Sequence, residues 1–550
     1  MENSKRWQRA ELLIFTAFTI LNLLPFVATR FFPSMDGASH LSNSNIINQL
    51  MFHHNNLFSQ FFMINREPVP NWTSHLVISL LTLVMPAFLA EKLLILVILG
   101  GIPFAFRNLM QTISPKNHLY SFLIFPFTHS MFFFFGFFNF CMAILFLLIT
   151  LNYWLRNEND YWNRRKVIIF ILLVLATYFS HIVIFGLEMI LVVLQVITNS
   201  AASLLCRKED FRTIVTSLLK RVLVITLAGI VPLLLFVYFF YSRPGTREIT
   251  FIARKVLVDY LATVRPLISL NPIIEAKYTV ILNYLLIIPV AAGIAAFFYR
   301  VFRKFFPGPA TAGNTVERLL PGTRFWWLLI SILCLLFLYF RLPDAYGTAS
   351  YTNLRIAFVI FLVLFLLVST FRIPWWIGLM AIAASIYVNT ALIRYYTPSI
   401  LDLSKLAVSC NKASEFVAPN SLVLPIYCMD NWFTGHFVDY LAVDKPIVMV
   451  YNYECESGYF PVKWNEKSRP NYYFGNPAKP DNYINFELTK GRPSLRLDYV
   501  FVVGQFDPQK DWFFAKLNRI LTDDFTRVYA TETCSLYRNR AATPKILPAR

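Results

Sequence analysis

The sequence predicts an α-helical polytopic membrane bundle of about eleven transmembrane helices, with an α/β domain at its C-terminal end. Three observations predict it. Hydrophobic residues make up 57% of the 550, the mean hydropathy is +0.53 and only 15% are charged, a balance too apolar for water alone to solvate. Nearly uncharged runs of about 20 residues, the length that spans a bilayer, recur from Glu11 to Asn389. From Pro398 the hydropathy drops, and short buried-strand patterns alternate with helical ones.

A β-barrel would show short alternating strands throughout, and none are visible. No small-residue cleavage site follows Leu12 to Val27, so this segment is read as a retained helix and not as a secretory signal. The formal charge is +19, and from Thr397 onward 18 Lys and Arg face 16 Asp and Glu, so about +17 sits on the membrane part. That placement argues against a nucleic-acid partner and for anionic lipid headgroups and phosphates.

The clusters Lys5/Arg6/Arg9, Arg156/Arg164/Arg165/Lys166, Arg207/Lys208/Arg212/Lys220/Arg221 and Arg300/Arg303/Lys304 belong in the cytoplasm by the positive-inside rule. Consistent crossings run from Glu11 to Ala28, Glu91 to Phe106, Leu119 to Phe133, Phe137 to Leu155, Val167 to Ser180 and His181 to Leu205. They continue from Val222 to Tyr241, Val280 to Tyr299, Phe325 to Phe340, Leu354 to Thr370 and Trp375 to Leu392. The N-terminus is then cytoplasmic and the C-terminal domain extracytoplasmic. Parity makes His75 to Ala90 a re-entrant or interfacial helix ending near Pro86. The domains expected are a membrane domain over 1–395, with outer loops 29–90 and 242–278, and an extracytoplasmic domain over 396–550.

In the first outer loop, PSMDGASH precedes an amphipathic stretch and then PVPNWTSH. Ile46, Ile47, Leu50, Met51, Leu57, Phe58, Phe61 and Phe62 recur at helical spacing opposite Asn48, Gln49, Asn55, Asn56 and Gln60, the pattern of a helix lying flat in the interface. Asp36 is the leading catalytic candidate, because a carboxylate at the rim of the membrane is costly unless used or paired. The alternative is structural: Asp36-Gly37 as a turn, or Asp36 as a helix cap. His40 follows one helical turn later and could share a proton or a metal with Asp36, so these two are the metal candidates if there is one. His53 and His54 are read as surface residues. Trp72 and His75 are candidate pocket-wall residues, though Trp also suits an interfacial belt.

The order of these parts resembles the GT-C superfamily, multi-spanning glycosyltransferases that use polyprenyl-phosphate sugars and include the protein O-mannosyltransferases and the aminoarabinose transferase of lipid A. The resemblance covers most of the chain. An acid follows the first helix (Asp36), then come an amphipathic outer helix (Asn45 to Phe62), a proline-led segment (Pro70 to Ala90), a helix opening with Lys92 and, after the bundle, an outer domain. The MDGxxH and PNWT motifs are also similar to those of uncharacterised bacterial membrane proteins. The resemblance implies a catalytic base or metal ligand at Asp36, a lipid-phosphate contact at Lys92 and a bacterial inner-membrane location. Many members have a second acid where Gly37 stands, which leaves metal dependence open.

Such a transfer needs a base for the acceptor hydroxyl, cations for the leaving phosphate and a groove for the lipid. Lys92, Arg243, Arg247, Arg341 and Arg355 are the cationic candidates. Arg341 and Arg355 bracket the outer loop LPDAYGTASYTN, where snorkelling is the competing role. Inside the bundle, Glu188 and His181 are candidate pocket residues, set against simple interhelical pairing and packing. His129 and Asn139 flank FFFFGFFNF, an aromatic wall that also suits packing.

In the C-terminal domain, strands are expected at Leu422 to Tyr427, Pro446 to Val450, Tyr499 to Val503 and Thr526 to Ala530, and helices at Ser399 to Ala418, Thr434 to Ala442 and Asp511 to Leu521. An extended loop is expected over Pro461 to Pro493. Cys410, Cys428, Cys455 and Cys534 fall here and could form up to two disulfides in an oxidising compartment, with undetermined pairing. The function expected is transfer of a sugar from a polyprenyl-phosphate donor to a glycan, lipid or protein acceptor outside the cytoplasm. One rival is a lipid-linked glycan polymerase or ligase, which would depend more on Arg243 and Arg247 than on Asp36. The other is a transporter or flippase, whose two-fold internal symmetry is not visible.

Overall fold

The computed structural model describes residues 2–541 except 159, 206–209, 242–247, 306–321, 348–349, 372–373, 468–496 and 511. Among the described residues, nine helices are long and apolar enough to cross a membrane: Arg9–Val27, Ala87–Ile113, Phe138–Arg156, Ile182–Leu205, Phe211–Tyr238, Pro272–Ala295, Thr323–Arg341, Thr352–Ser369 and Trp375–Phe416. The chain is therefore an integral membrane protein. Arg164–Ser180, also expected to cross, is a helix of 17 residues. The expected crossing at Leu119 to Phe133 takes a different form, a 3-10 helix at Pro115–Ile124 followed by the short helices Phe125–Thr128 and Met131–Phe134. Pro115, Pro126 and the non-helical backbone at Asn117 interrupt the hydrogen-bond ladder there.

Two compact units divide the chain: Met1–Leu24 with Leu96–Phe133 and Asn139–Tyr395, and Pro25–Ile95 with Phe134–Phe138 and Tyr396–Arg550. The first unit is mainly helical, with one short antiparallel pair, Ile249–Thr250 and Ala345–Tyr346. Thr352–Ser369 is apolar all round and buried along nearly its whole length, as expected of a central helix. Phe358 and Phe365 on it meet Phe127 at ring distances of 5.4 and 5.2 Å, and Phe358 also meets Phe140. Ion pairs of this unit include Arg107 with Glu11, and Arg324 with Glu158 at 2.6 Å.

The second unit contains a five-stranded mixed sheet. Its order is Ile447–Met449, Ser421–Tyr427, Tyr499–Val503, Cys534–Asn539, Phe525–Ala530, parallel across the first three strands and antiparallel beyond. Ser421–Tyr427 and Tyr499–Val503 are buried on both faces, which explains their unbroken apolar sequences. The last strand, Cys534–Asn539, is absent from the sequence expectation because Ser535, Arg538 and Asn539 dilute its pattern. Thr434 to Ala442 forms two 3-10 turns instead of an α-helix. Ser399 to Ala418 is mostly the end of one 39-residue helix, Trp375–Ala413, that runs through Pro398. Of the expected loop from Pro461, Val462–Trp464 is a strand, antiparallel to Phe62–Ile64, and the part from 468 lies outside the described residues.

The cysteine expectation is corrected: Cys410, Cys428, Cys455 and Cys534 are all free thiols. Cys410 and Cys534 touch through a side-chain hydrogen bond without a covalent link. Three of the four are buried, and apolar burial accounts for them as well as crosslinking would.

The first loop also departs from expectation. The helix Gly37–Met51 is buried on almost every face within the second unit and does not lie open to an interface. It ends at Met51, and Asn55 caps a separate helix, Asn56–Phe61. Its asparagines tolerate burial because their amides find acceptors. Asn45 reaches the carbonyls of Ala442 and Lys445 at 2.8 and 2.7 Å, and Asn48 reaches Ser79 at 3.0 Å. Thr73–Thr82 is ten residues long, about 15 Å of helix, half of what a crossing needs.

Candidate active site

The candidate site lies in the second unit and is built on a turn. Met35 and Asp36 donate backbone hydrogen bonds to the carbonyls of Phe134 and Phe135 at 3.2 and 3.1 Å, which ties the first loop to the phenylalanine-rich segment. Gly136 makes that approach feasible. Its φ is +77°, and a Cβ there would lie 2.8 Å from the Gly37 nitrogen and 3.1 Å from that of Asp36. Gly136→Ala is expected to cost about 2–4 kcal/mol, from left-handed strain plus a clash with backbone. Thermal unfolding in detergent measures this, and an unchanged midpoint would mean the loop is not held at this turn.

Asp36 precedes the helix Gly37–Met51 in the cap position, but its side chain makes no cap hydrogen bond. The structural alternative of a helix cap is therefore absent. The Asp36 side chain is 10% exposed, which leaves one edge reachable, and its Oδ1 lies 3.8 Å from His436 Nε2. Burial, with a smaller push from the Glu454 charge, raises its pKa to about 7, against pulls from His40 and the Tyr453 hydroxyl. Burial pushes His436 down to about 4, so it faces Asp36 uncharged, its ring stacked on Tyr453 at 4.2 Å. Asp439 is also raised by burial to about 7, and Ser39 donates to it.

His40 does not turn toward Asp36. Its Nδ1 lies 2.7 Å from Glu454 Oε1 and 3.2 Å from His75 Nε2, and its Nε2 lies 2.9 Å from the Gly136 carbonyl. His75 Nε2 is 2.8 Å from Glu454 Oε2, and His75 also hydrogen-bonds the Asn71 backbone. All three side chains are buried. Burial disfavours the charged form of both rings. Glu454, Asp36 and the Gly136 carbonyl nevertheless lift His40 above its ordinary value, whereas His75, repelled by His40, falls below. Burial alone would raise Glu454, but the two histidines hold it at about 2, ionised at any physiological pH. Two nitrogens and a carboxylate converging in this way form a donor set for a metal.

Glu454 is the residue that sequence reasoning missed. It opens a short helix, Tyr453–Ser457, whose backbone amides Asn452 caps at 3.1 and 3.2 Å. Some 379 positions separate it from His75, so no spacing motif could reveal the pair. Asp439 and His436 were missed for the same reason.

The other candidates are dispersed. Trp72 is half-buried at the start of Thr73–Thr82. Lys92 donates to the Val27 carbonyl at 2.9 Å and lies over the Phe88 ring, which Arg30 also approaches. A groove of about 640 Å³ opens beside Arg30, lined among others by Thr29, Pro398, Leu401, Lys405 and Val408. Arg341, Arg355, His181 and Glu188 belong to the first unit. There Glu188 accepts from Thr177 at 2.6 Å, His181 packs edge-on to Phe140, and Arg355 donates to the Ser350 carbonyl at 2.5 Å. Arg243 and Arg247 lie outside the described residues.

No family model and no curated protein matches the chain. Among solved structures it is similar to ArnT from Cupriavidus metallidurans in the apo state, with a TM-score of 0.46 and 12% identity, over 98% of this chain and 100% of that one. A likeness this distant assigns no residue role.

Proposed function

We propose that this protein is an integral membrane glycosyltransferase that moves a sugar from a polyprenyl-phosphate donor to an acceptor hydroxyl on the extracytoplasmic side. The observation that carries the reading is Asp36: a carboxylate just beyond the first membrane helix, excluded from capping, partly reachable, and held by burial near neutrality. A base so poised accepts the acceptor proton as its oxygen bonds to the anomeric carbon. The bond from that carbon to the phosphate breaks, and the lipid phosphate leaves with the electron pair. Arg30 and Lys92, both against Phe88, are cations of the same unit suited to that phosphate, and the groove beside Arg30 is apolar enough for a prenyl chain. Arg243, Arg247, Arg341 and Arg355 remain candidates for the same role. A divalent metal enters this reading as a helper at the histidine cluster, not as a participant in these steps.

The test is transfer by the purified protein in liposomes, using polyprenyl-phosphate hexoses and pentoses labelled in the sugar. The expected result is label in a covalent product together with free polyprenyl phosphate. Label crossing the bilayer on intact donor, with no product, would replace the reading with transport. Transfer only of preassembled oligosaccharide would replace it with polymerase or ligase chemistry.

A further inference from the structure

We propose that His40, His75 and Glu454 bind one divalent transition-metal ion of the zinc class. The inference concerns the site of the proposed transfer but stands on its own geometry.

Hydrogen bonding decides where the lone pairs point. A carbonyl only accepts, so His40 Nε2, 2.9 Å from the Gly136 oxygen, carries a proton, and the neutral ring turns its Nδ1 lone pair inward. His75 spends its other nitrogen on the Asn71 backbone, which leaves the Nε2 lone pair facing the same point. Glu454 contributes only acceptors. With both rings neutral, two nitrogens 3.2 Å apart face the two oxygens of Glu454, Nδ1 of His40 at 2.7 Å from Oε1 and Nε2 of His75 at 2.8 Å from Oε2, all as acceptors in a buried cluster. Filling the gaps with protons alone makes both rings imidazolium, two like charges side by side, and a single proton leaves one acceptor pair facing each other. A cation satisfies all three at once.

The spacing is that of a site slightly contracted around its centre. Tetrahedral bonds of about 2.0–2.1 Å set ligand atoms about 3.4 Å apart. The two nitrogens are already at 3.2 Å, and the carboxylate contacts, one through each oxygen at 2.7 and 2.8 Å, open by about 0.6–0.7 Å when an ion of that bond length enters. Nitrogen-rich donors favour zinc-class ions over magnesium or calcium, which prefer oxygen alone.

The surroundings are those of a supported metal site. Backbone carbonyls hold both rings by their outer nitrogens, the usual way a protein fixes the ligating tautomer. Asn71 and Gly136, which supply them, both have left-handed backbone, with φ of +67° and +77°. Phe460 packs against both imidazoles at 5.6 and 6.0 Å, and Phe138 covers His40. Three protein ligands leave a fourth position for a water or a substrate oxygen. The ion would also pin the helix that follows Asp36 to the helix bearing Glu454.

The experiment is elemental analysis of the purified full-length protein, followed by chelation and titration with Zn²⁺ and with Co²⁺. About one ion per chain is expected, with the visible absorption of tetrahedral Co²⁺. Glu454→Gln and His75→Ala should lose the ion and the Co²⁺ bands, and His53→Ala should keep both. Wild-type protein that takes up less than a tenth of an equivalent of either ion, or variants that bind as wild type does, would overturn the inference. The Co²⁺ spectrum of the wild type keeps the test decisive where a variant fails to fold. Sugar transfer by metal-free protein that takes up no ion would sink this proposal and leave the transferase reading standing, while a loaded protein inert in transfer would do the reverse.

Discussion

Asp36→Asn is expected to lower sugar transfer by about 10²–10⁴-fold, the usual contribution of a positioned general base, while leaving the folded yield and the melting temperature unchanged. The amide fills the same volume but cannot take up the acceptor proton. Stability is spared because Asp36 caps nothing, and an amide oxygen in its place still accepts from the Tyr453 hydroxyl and keeps the 3.8 Å contact with the uncharged His436. An amide is also cheaper to bury than a carboxylate. A charge effect with no steric part therefore appears in kcat/KM and not in the melt. The pH profile offers a second readout. Asp36 is raised to about 7, so it is protonated and inactive below that value, and the rate should climb as pH rises through it. A cation at the histidine cluster would move this limb to lower pH. Retained transfer in Asp36→Asn would remove Asp36 from the mechanism.

Hydropathy made the membrane helices legible because lipid imposes a length and an apolar composition on each span, and both can be read without knowing what a helix packs against. The reading failed where packing replaced lipid as the neighbour. Leu119 to Phe133 is apolar enough to cross, but Pro126 and the non-helical His129 break it into short pieces, and Pro115 and Asn117 kink the chain just before it. The asparagine face of the first-loop helix looked solvated, since an amide bonded to water and one bonded to a buried carbonyl read alike in a sequence. Asp36, His40 and His75 stood out in the sequence because few polar residues of their kind interrupt the apolar region, and the structure places all three in the second unit. Their division of labour did not stand out. His40 stands one helical turn from Asp36, yet its ring is committed to His75 and to a glutamate 414 positions away. Long-range pairing of that kind is a property of the tertiary fold.

Glu454→Ala is the substitution expected to cost most in stability, about 3–5 kcal/mol, the range for removing one partner from a buried ion pair. Glu454 is ionised because two imidazoles surround it at 2.7 and 2.8 Å. Without it, His40 loses the carboxylate that raises its pKa, and the two buried imidazoles lose the anion that faces them at 2.7 and 2.8 Å. The loss should appear as a large fall in the unfolding midpoint, with or without added Zn²⁺, because one of the three proposed ligands is gone. Adding His40→Ala should cost far less than the two separate losses combined, since the first substitution already breaks the pair. Strict additivity would mean that the two side chains do not stabilise each other. Comparison with Asp36→Asn then separates scaffold from chemistry: Glu454→Ala should lose transfer along with the fold, and Asp36→Asn should lose transfer with the fold intact. If instead both variants melt as wild type does and both are inactive, Glu454 acts on the reaction directly and its structural role is minor.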